Sequence, residues 1–163
     1  MSHITNYIGR DVSIGKNVKI WHFTYVGDNT TIGDNVMIGS LCHIDYNVKI
    51  GNNVRIEGAT YIPPLTVIGD NVFIGPATVF TNDPYPPSKK MVGVVVENDV
   101  VICARSVIKA GVKLGRGCVV AMGSVVTKDV PPNMVVMGAP AEPVYDRAKY
   151  DKKKSAWETP NSI

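Results

Sequence analysis

The sequence predicts an all-β fold: a parallel β-helix built of six-residue repeats, with one extruded loop and a short C-terminal helix. Three observations carry this. From Ile8 every sixth residue is a large apolar one: Ile8, Ile14, Ile20, Val26, Ile32, Ile38 and onward through Ile74 to Phe80, without a polar exception. Four residues into each hexad the side chain is small or β-branched, as at Val12, Thr24, Val36, Cys42, Thr60 and Thr78. Turn formers follow the large aliphatic, as in Gly27-Asp28-Asn29, Gly33-Asp34-Asn35 and Gly69-Asp70-Asn71; Gly reaches positive φ freely, and Asn and Asp tolerate it. Short strands stacked coil on coil satisfy this pattern, each coil completing its neighbour's backbone hydrogen bonds. Hairpins would show alternation at period two, broken at irregular lengths.

In chain order, Met1 to Tyr7 leads in and carries His3. Twelve hexads follow, with Pro63-Pro64 placed at a corner, where the absence of an N–H costs no ladder bond. The rhythm fails after Phe80. The segment Thr81-Asn82-Asp83-Pro84-Tyr85-Pro86-Pro87-Ser88-Lys89-Lys90-Met91-Val92-Gly93 has no period of six, and the register resumes at Val96, Ile102, Ile108, Leu114, Val120 and Val126. Sixteen residues separate Phe80 from Val96, so either four or ten are extruded within about 82–95. A repeat this regular has no structural need of a loop, and loops on rigid scaffolds are where function concentrates.

Pro131-Pro132 end the coils, Met134 to Met137 reads as a short strand before the turn Gly138-Ala139-Pro140, and the charged segment from Pro143 to Glu158 reads as a helix. The expected division is a β-helix over 1–141 and a helical tail over 142–163, frayed from Thr159 to Ile163.

The 163 residues are one domain's worth, and 45% apolar content fills a core without disulfides or metals. Cys42 and Cys118 fall in inward slots and Cys103 does not; three thiols so placed suit a reducing cytoplasm. No apolar run is long enough for a bilayer, and Met1 opens no charged-then-apolar leader, so a soluble cytoplasmic protein without membrane insertion is expected. A net charge of +3, with five basic against four acidic groups in 142–163, is too little for a nucleic-acid footprint. One outward column, every eighteenth residue, reads Tyr25, His43, Tyr61 and Val79; it continues as Val107 and Val125 for a ten-residue loop, or Val101 and Val119 for four. An apolar stripe of this length predicts a subunit interface, which a cyclic oligomer would bury.

These features resemble the hexapeptide-repeat acyltransferases with a left-handed β-helix. The resemblance covers nearly the whole chain through the repeat, the single loop, and the exit Ala121-Met122-Gly123-Ser124-Val125-Val126-Thr127-Lys128-Asp129-Val130-Pro131-Pro132 followed by Gly138-Ala139-Pro140-Ala141. Ile20-Trp21-His22-Phe23 and Phe80-Thr81-Asn82-Asp83 are similar to N-acetyltransferases that acylate nucleotide-linked 3-amino sugars. The left hand is implied by the resemblance alone, since parallel crossovers are otherwise right-handed. It also implies homotrimers, acyl-CoA in the groove between subunits, and a loop reaching the neighbour.

The chemistry so implied is transfer of acetyl from acetyl-CoA to the amine of a UDP- or dTDP-linked amino sugar for surface glycans. An amine attacking a thioester must be held neutral and aligned, with donors for the oxyanion and an outlet for a proton. The loop contains no His, which disfavours a hydroxyl acceptor and suits an amine. Asn82 is expected to orient the amine and Asp83 to accept its proton or steer it, against a plain Asx turn before Pro84. His22, Tyr85, Lys89 and Lys90 are the candidate substrate contacts. The arginines that relatives acting on uronic acids carry beyond the Asn are missing. Ala110-Gly111 and Ala121-Met122-Gly123 offer the pantetheine arm bare backbone, and Lys128 and Arg147 are candidate partners for the CoA phosphates. No metal is expected: a γ-type carbonic anhydrase on this fold needs three imidazoles, two of them five residues apart, and His3, His22 and His43 contain no such pair. Serine acetyltransferase is disfavoured because its N-terminal helical domain has no counterpart. A different acceptor (a 4-amino sugar or a hydroxyl) and a non-catalytic trimer are the alternatives.

Overall fold

In the computed structural model, residues 5–159 are described, and they form the parallel solenoid the repeat predicts. The lead-in His3 and residues 160–163, where fraying was expected, lie outside them. Each hexad contributes a two-residue strand, and three strands make one coil of a three-sided prism. The first sheet runs from Tyr7–Ile8 to Val125–Val126 with seven strands, and the second from Ser13–Ile14 to Lys113–Leu114 with six. The third begins at Lys19–Ile20 and has eight, the last two being Met134–Gly138 and the antiparallel Ala141–Asp146.

Coil-to-coil register explains why the sequence tolerates only its two inward sizes. Ile8, Val26, Ile44 and Ile62 stack on one another in the first sheet, as Ile14, Ile32, Ile50 and Ile68 do in the second. These aliphatics and the small slot residues form one continuous core, closed around Phe80 and Leu114, which are fully buried. The hydroxyls in the small slots are satisfied internally: Thr24 donates to the Gly39 carbonyl at 2.9 Å and Thr78 to that of Gly75 at 2.8 Å. Cys42 and Cys118 are buried and Cys103 partly so, as their slots required. Burial pushes the Cys118 thiol up to about 12. Ile8 and Ile14 are inward but 41% and 44% exposed, because among the described residues no coil stacks beneath them.

Pairing also fixes the loop. Val67 pairs with Val95, 28 residues on, where ordinary coils return after 18. Ten residues are therefore extruded, not four, and the outward column is Tyr7, Tyr25, His43, Tyr61, Val79, Val107 and Val125. Its aromatic part is stacked, with ring centroids 4.8 Å apart for Tyr7 and Tyr25 and 4.6 Å for Tyr25 and His43.

The tail departs from expectation at its start. Ala141–Asp146 is an edge strand on Met134–Gly138, and the helix occupies Arg147–Glu158. Pro143 is accommodated at that edge beside a register shift between Val135 and Val136, where a missing N–H costs little. Asp146 caps the helix, its carboxylate accepting the Lys149 N–H at 2.8 Å. No helix among the described residues is long and apolar enough to cross a membrane.

Candidate functional site

The prism has three long edges, and the candidate residues are distributed over all of them. The edge from the first to the second sheet carries the loop. Asn82 opens it: its carbonyl accepts the Val92 N–H at 2.8 Å, closing the loop's neck, and its amide Nδ2 lies 3.1 Å from the Met91 sulfur. Asp83 is a loop staple, with Oδ1 accepting the Tyr85 N–H at 2.9 Å and Oδ2 the Ser88 N–H at 2.7 Å. This is the Asx-turn use of an aspartate before proline, extended to a second donor. Tyr85 projects into solvent, 82% exposed, and Lys89 and Lys90 are exposed beside it.

Ala110 and Gly111 lie one coil further on the same edge. The Ala110 N–H donates to Thr81 Oγ1 at 2.8 Å, so this bare stretch is tied to the residue preceding Asn82. Gly111 has φ +76, and a Cβ there would come within 3.3 Å of Val92, so the loop's returning segment rests on it. Lys128 follows another coil along; it is exposed and only loosely paired with Glu142 at 3.9 Å.

His22, Ala121 and Gly123 belong to the next edge, from the third sheet back to the first. Trp21, His22 and Phe23 are exposed there. A Cβ on Gly123 would meet nothing within 4 Å, so the surface above this turn is open. Arg147 is on the remaining edge. Its Nη1 donates to the carbonyls of Asp99 and Gly117 at 3.1 and 3.0 Å, its Nε to Asp151 at 2.8 Å. The guanidinium thus ties the helix to the coils, a task the sequence did not indicate. Within one chain Asn82, Asp83, Tyr85, Lys89, Lys90, Ala110, Gly111 and Lys128 share an edge, while His22, Ala121 and Gly123 are on another and Arg147 on a third.

Sequence reasoning missed a cavity of about 450 Å³ on the His22 edge, walled by Trp21, Met37, Arg55 and Glu57 above the glycines 39 and 58. The signal was present at eighteen-residue spacing: Trp21, Gly39, Glu57 and Gly75 form one outward column and Lys19, Met37, Arg55 and Phe73 the next. Arg55 Nε donates to Glu57 Oε1 at 2.5 Å. Among the described residues there is no cluster of three or more His, Cys, Asp or Glu able to hold a metal ion.

Comparison with known proteins agrees with this architecture. The family description "Bacterial transferase hexapeptide (six repeats)" matches residues 29–64, and "Hexapeptide repeat of succinyl-transferase" matches 92–128. The chain is 54% identical over 57 residues to a 2,3,4,5-tetrahydropyridine-2,6-dicarboxylate N-acetyltransferase of Clostridium perfringens, a match covering 35% of this chain and 23% of the relative. It is 42% identical over 69 residues to the enzyme of the same name from Staphylococcus aureus, covering 42% and 28%. The matches thus span about a quarter of these curated relatives' length. Among solved structures, a mutant perosamine N-acetyltransferase from Caulobacter crescentus in complex with CoA and GDP-perosamine superposes with a TM-score of 0.59 at 22% identity, over 88% of this chain and 58% of that one; at this identity the likeness is one of fold. Six-residue period, three-sheeted solenoid and both family matches agree: the chain carries hexapeptide repeats and is similar over 29–64 and 92–128 to the hexapeptide-repeat transferases.

Proposed function

We propose that the protein is an acyl-CoA-dependent N-acyltransferase that moves an acetyl group from acetyl-CoA to the amine of a nucleotide-linked amino sugar, a UDP- or dTDP-linked 3-amino sugar, in surface glycan synthesis. The observation that carries this reading is the ten-residue loop: it is opened by Asn82, lacks His, and rests on the bare Ala110-Gly111 turn. The amine attacks the thioester carbonyl, a C–N bond forms as the C–S bond breaks, and the amine proton leaves with the CoA sulfur or to water. Asn82 aligns the amine. Asp83, occupied with two backbone N–H groups, shapes the loop that presents Asn82 and is poorly placed as a general base. Tyr85, Lys89, Lys90 and His22 supply substrate contacts. Ala121 and Gly123 flank the pantetheine, and Lys128 meets a CoA phosphate; Arg147 is committed to the tail.

A trimer accounts for the division of these residues between edges. The first sheet presents Tyr25, His43, Tyr61, Val79, Val107 and Val125, an apolar column that suits a subunit interface. A ring closed through this column brings the loop edge, which borders the first sheet, against the neighbouring subunit. An enzyme drawing on acyl-CoA works in the cytoplasm, and the reduced-thiol composition fits that compartment.

The relatives' names favour a second acceptor, tetrahydropyridine dicarboxylate, on the strength of 54% identity over 57 residues. A thiol-release assay with acetyl-CoA separates the two. Turnover with a 3-amino sugar nucleotide and not with the dicarboxylate or with hydroxyl acceptors is expected. Asn82→Ala should abolish most of it while CoA affinity and oligomeric state stay the same; unchanged turnover removes Asn82 from the mechanism.

A further inference from the structure

We propose that the cavity over Gly39 and Gly58 is a nucleobase subsite in which Trp21 stacks on the base and the Arg55–Glu57 pair reads its lactam edge. This rests on the nucleotide-sugar reading above and gives it a location on the chain.

The cavity is floored by two stacked glycine corners, which bring adjacent coils into direct backbone contact. A Cβ on Gly39 would lie 2.5 Å from the Gly58 nitrogen, and one on Gly58 would lie 2.9 Å from the Ser40 carbonyl oxygen. Its volume of about 450 Å³ falls within the range of small-molecule clefts. One wall is Trp21, whose side chain is 42% exposed although it follows an inward isoleucine. An exposed indole beside a cleft is a stacking platform, and stacking on aromatic side chains is how bases are generally held outside a duplex.

The opposite wall supplies polarity of both signs. Arg55 donates through Nε to Glu57 Oε1, and its guanidinium lies 6.0 Å from the Phe73 ring centroid. A surface ion pair contributes little to stability, so folding does not account for the pair. What it provides is an acceptor, Glu57 Oε2, next to donors, the Arg55 Nη groups, in a fixed relation. A ring N–H beside a carbonyl has the complementary pattern, the edge shared by uracil, thymine and guanine and lacking in adenine. The sugar end of such a nucleotide then projects out of the cavity.

The test uses the full chain. It has two tryptophans, and Trp157 is 86% exposed on the terminal helix, so Trp157→Phe leaves Trp21 as the sole indole reporter. Titration with UDP, dTDP and GDP should quench Trp21 fluorescence saturably for at least one of them. ADP, pyrophosphate and 3-methyluridine diphosphate, which lacks the ring N–H, should bind at least tenfold more weakly. Glu57→Gln, a near-isosteric change at a half-buried position outside the core that leaves circular dichroism unchanged, should weaken the best nucleotide about tenfold and raise KM for the nucleotide sugar with kcat and CoA affinity unaltered. No quenching by any nucleotide, equal quenching by ADP, or unaltered affinity in Glu57→Gln each overturns the proposal. Amine acetylation at wild-type KM in Glu57→Gln would refute the subsite and leave the acyltransferase standing. Quenching by a lactam nucleotide without acetylation of any acceptor would do the reverse.

Discussion

Replacement of Asp83 by Asn separates two roles that a loop aspartate before proline can have. In the structure its carboxylate accepts two backbone N–H groups, from Tyr85 and Ser88. The substitution preserves one acceptor and turns the other oxygen into an NH₂ facing a donor, so one hydrogen bond to a charged group is lost. Such a bond is worth about 1.5–3 kcal/mol, and exposure of the loop favours the lower figure. The loop is extruded from the coils, so this cost falls on its local closure and leaves the prism's melting temperature nearly unchanged. Since about 1.4 kcal/mol is a factor of ten in an equilibrium, tryptic cleavage after Lys89 and Lys90, under conditions where opening precedes cleavage, should accelerate about tenfold. Turnover should fall by a similar or smaller factor, because the opened loop misplaces Asn82. Cleavage at the wild-type rate would refute the staple. Loss of turnover by about 10²–10⁴-fold with the cleavage rate unchanged would restore Asp83 as a general base.

Other perturbations probe the scaffold. Asn53 has φ +55, donates to Asn71 Oδ1 and accepts from Asn35 Nδ2, both at 3.1 Å. Asn53→Ala should therefore destabilise more than Asn53→Gly by about 1 kcal/mol in denaturant melts, Gly losing the ladder bonds but not the backbone freedom; equal losses would mean the left-handed turn carries no strain. Arg147→Lys should behave like Arg147→Ala, both speeding proteolysis of the terminal helix, because an ammonium cannot span the Asp99 and Gly117 carbonyls while bonding Asp151; rescue by Lys would show that charge alone holds the tail. The Glu97 carboxyl is held below its usual 4.5 by the hydrogen bond from Lys113 and then that from the Arg116 N–H. Its folded value lies below its unfolded one, so its contribution is present above about pH 4.5 and is lost as pH falls through the lower, folded value. Thermal melts of Glu97→Gln should thus lack the part of the acid-side decline below pH 4.5 that the wild type shows, and coincident profiles would argue against this linkage.

The sequence by itself determined the repeat, the three-sided coil it implies, the inward residues and the position of the loop. Each of these depends on a period of six that the chain keeps from Ile8 to Phe80 and resumes at Val96. The large and small inward slots hold their sizes because stacked identical coils leave one volume for each. The single loop was visible as a failure of that period, and Asn82 and Asp83 as the polar residues at its mouth. The thiols at 42 and 118 were legible as core for the same reason.

Tertiary structure decided what depends on which coil a segment meets. Four or ten extruded residues both fit the count between Phe80 and Val96, and only the pairing of Val67 with Val95 selects ten. The strand at 141–146 draws its partners from 134–138 and not from any local pattern, so a charged segment that reads as helix from Pro143 begins its helix at Arg147, behind the Asp146 cap. The role of Arg147 is of this kind too, since its carbonyl partners are 30 and 48 residues away. The cavity of Trp21, Arg55 and Glu57 joins residues two coils apart whose relation appears only when outward positions are aligned at eighteen. A period specifies turns and inward side chains because these are local; edges, neighbours and cavities are set by hydrogen-bond register between coils, which the period leaves open wherever the chain departs from it.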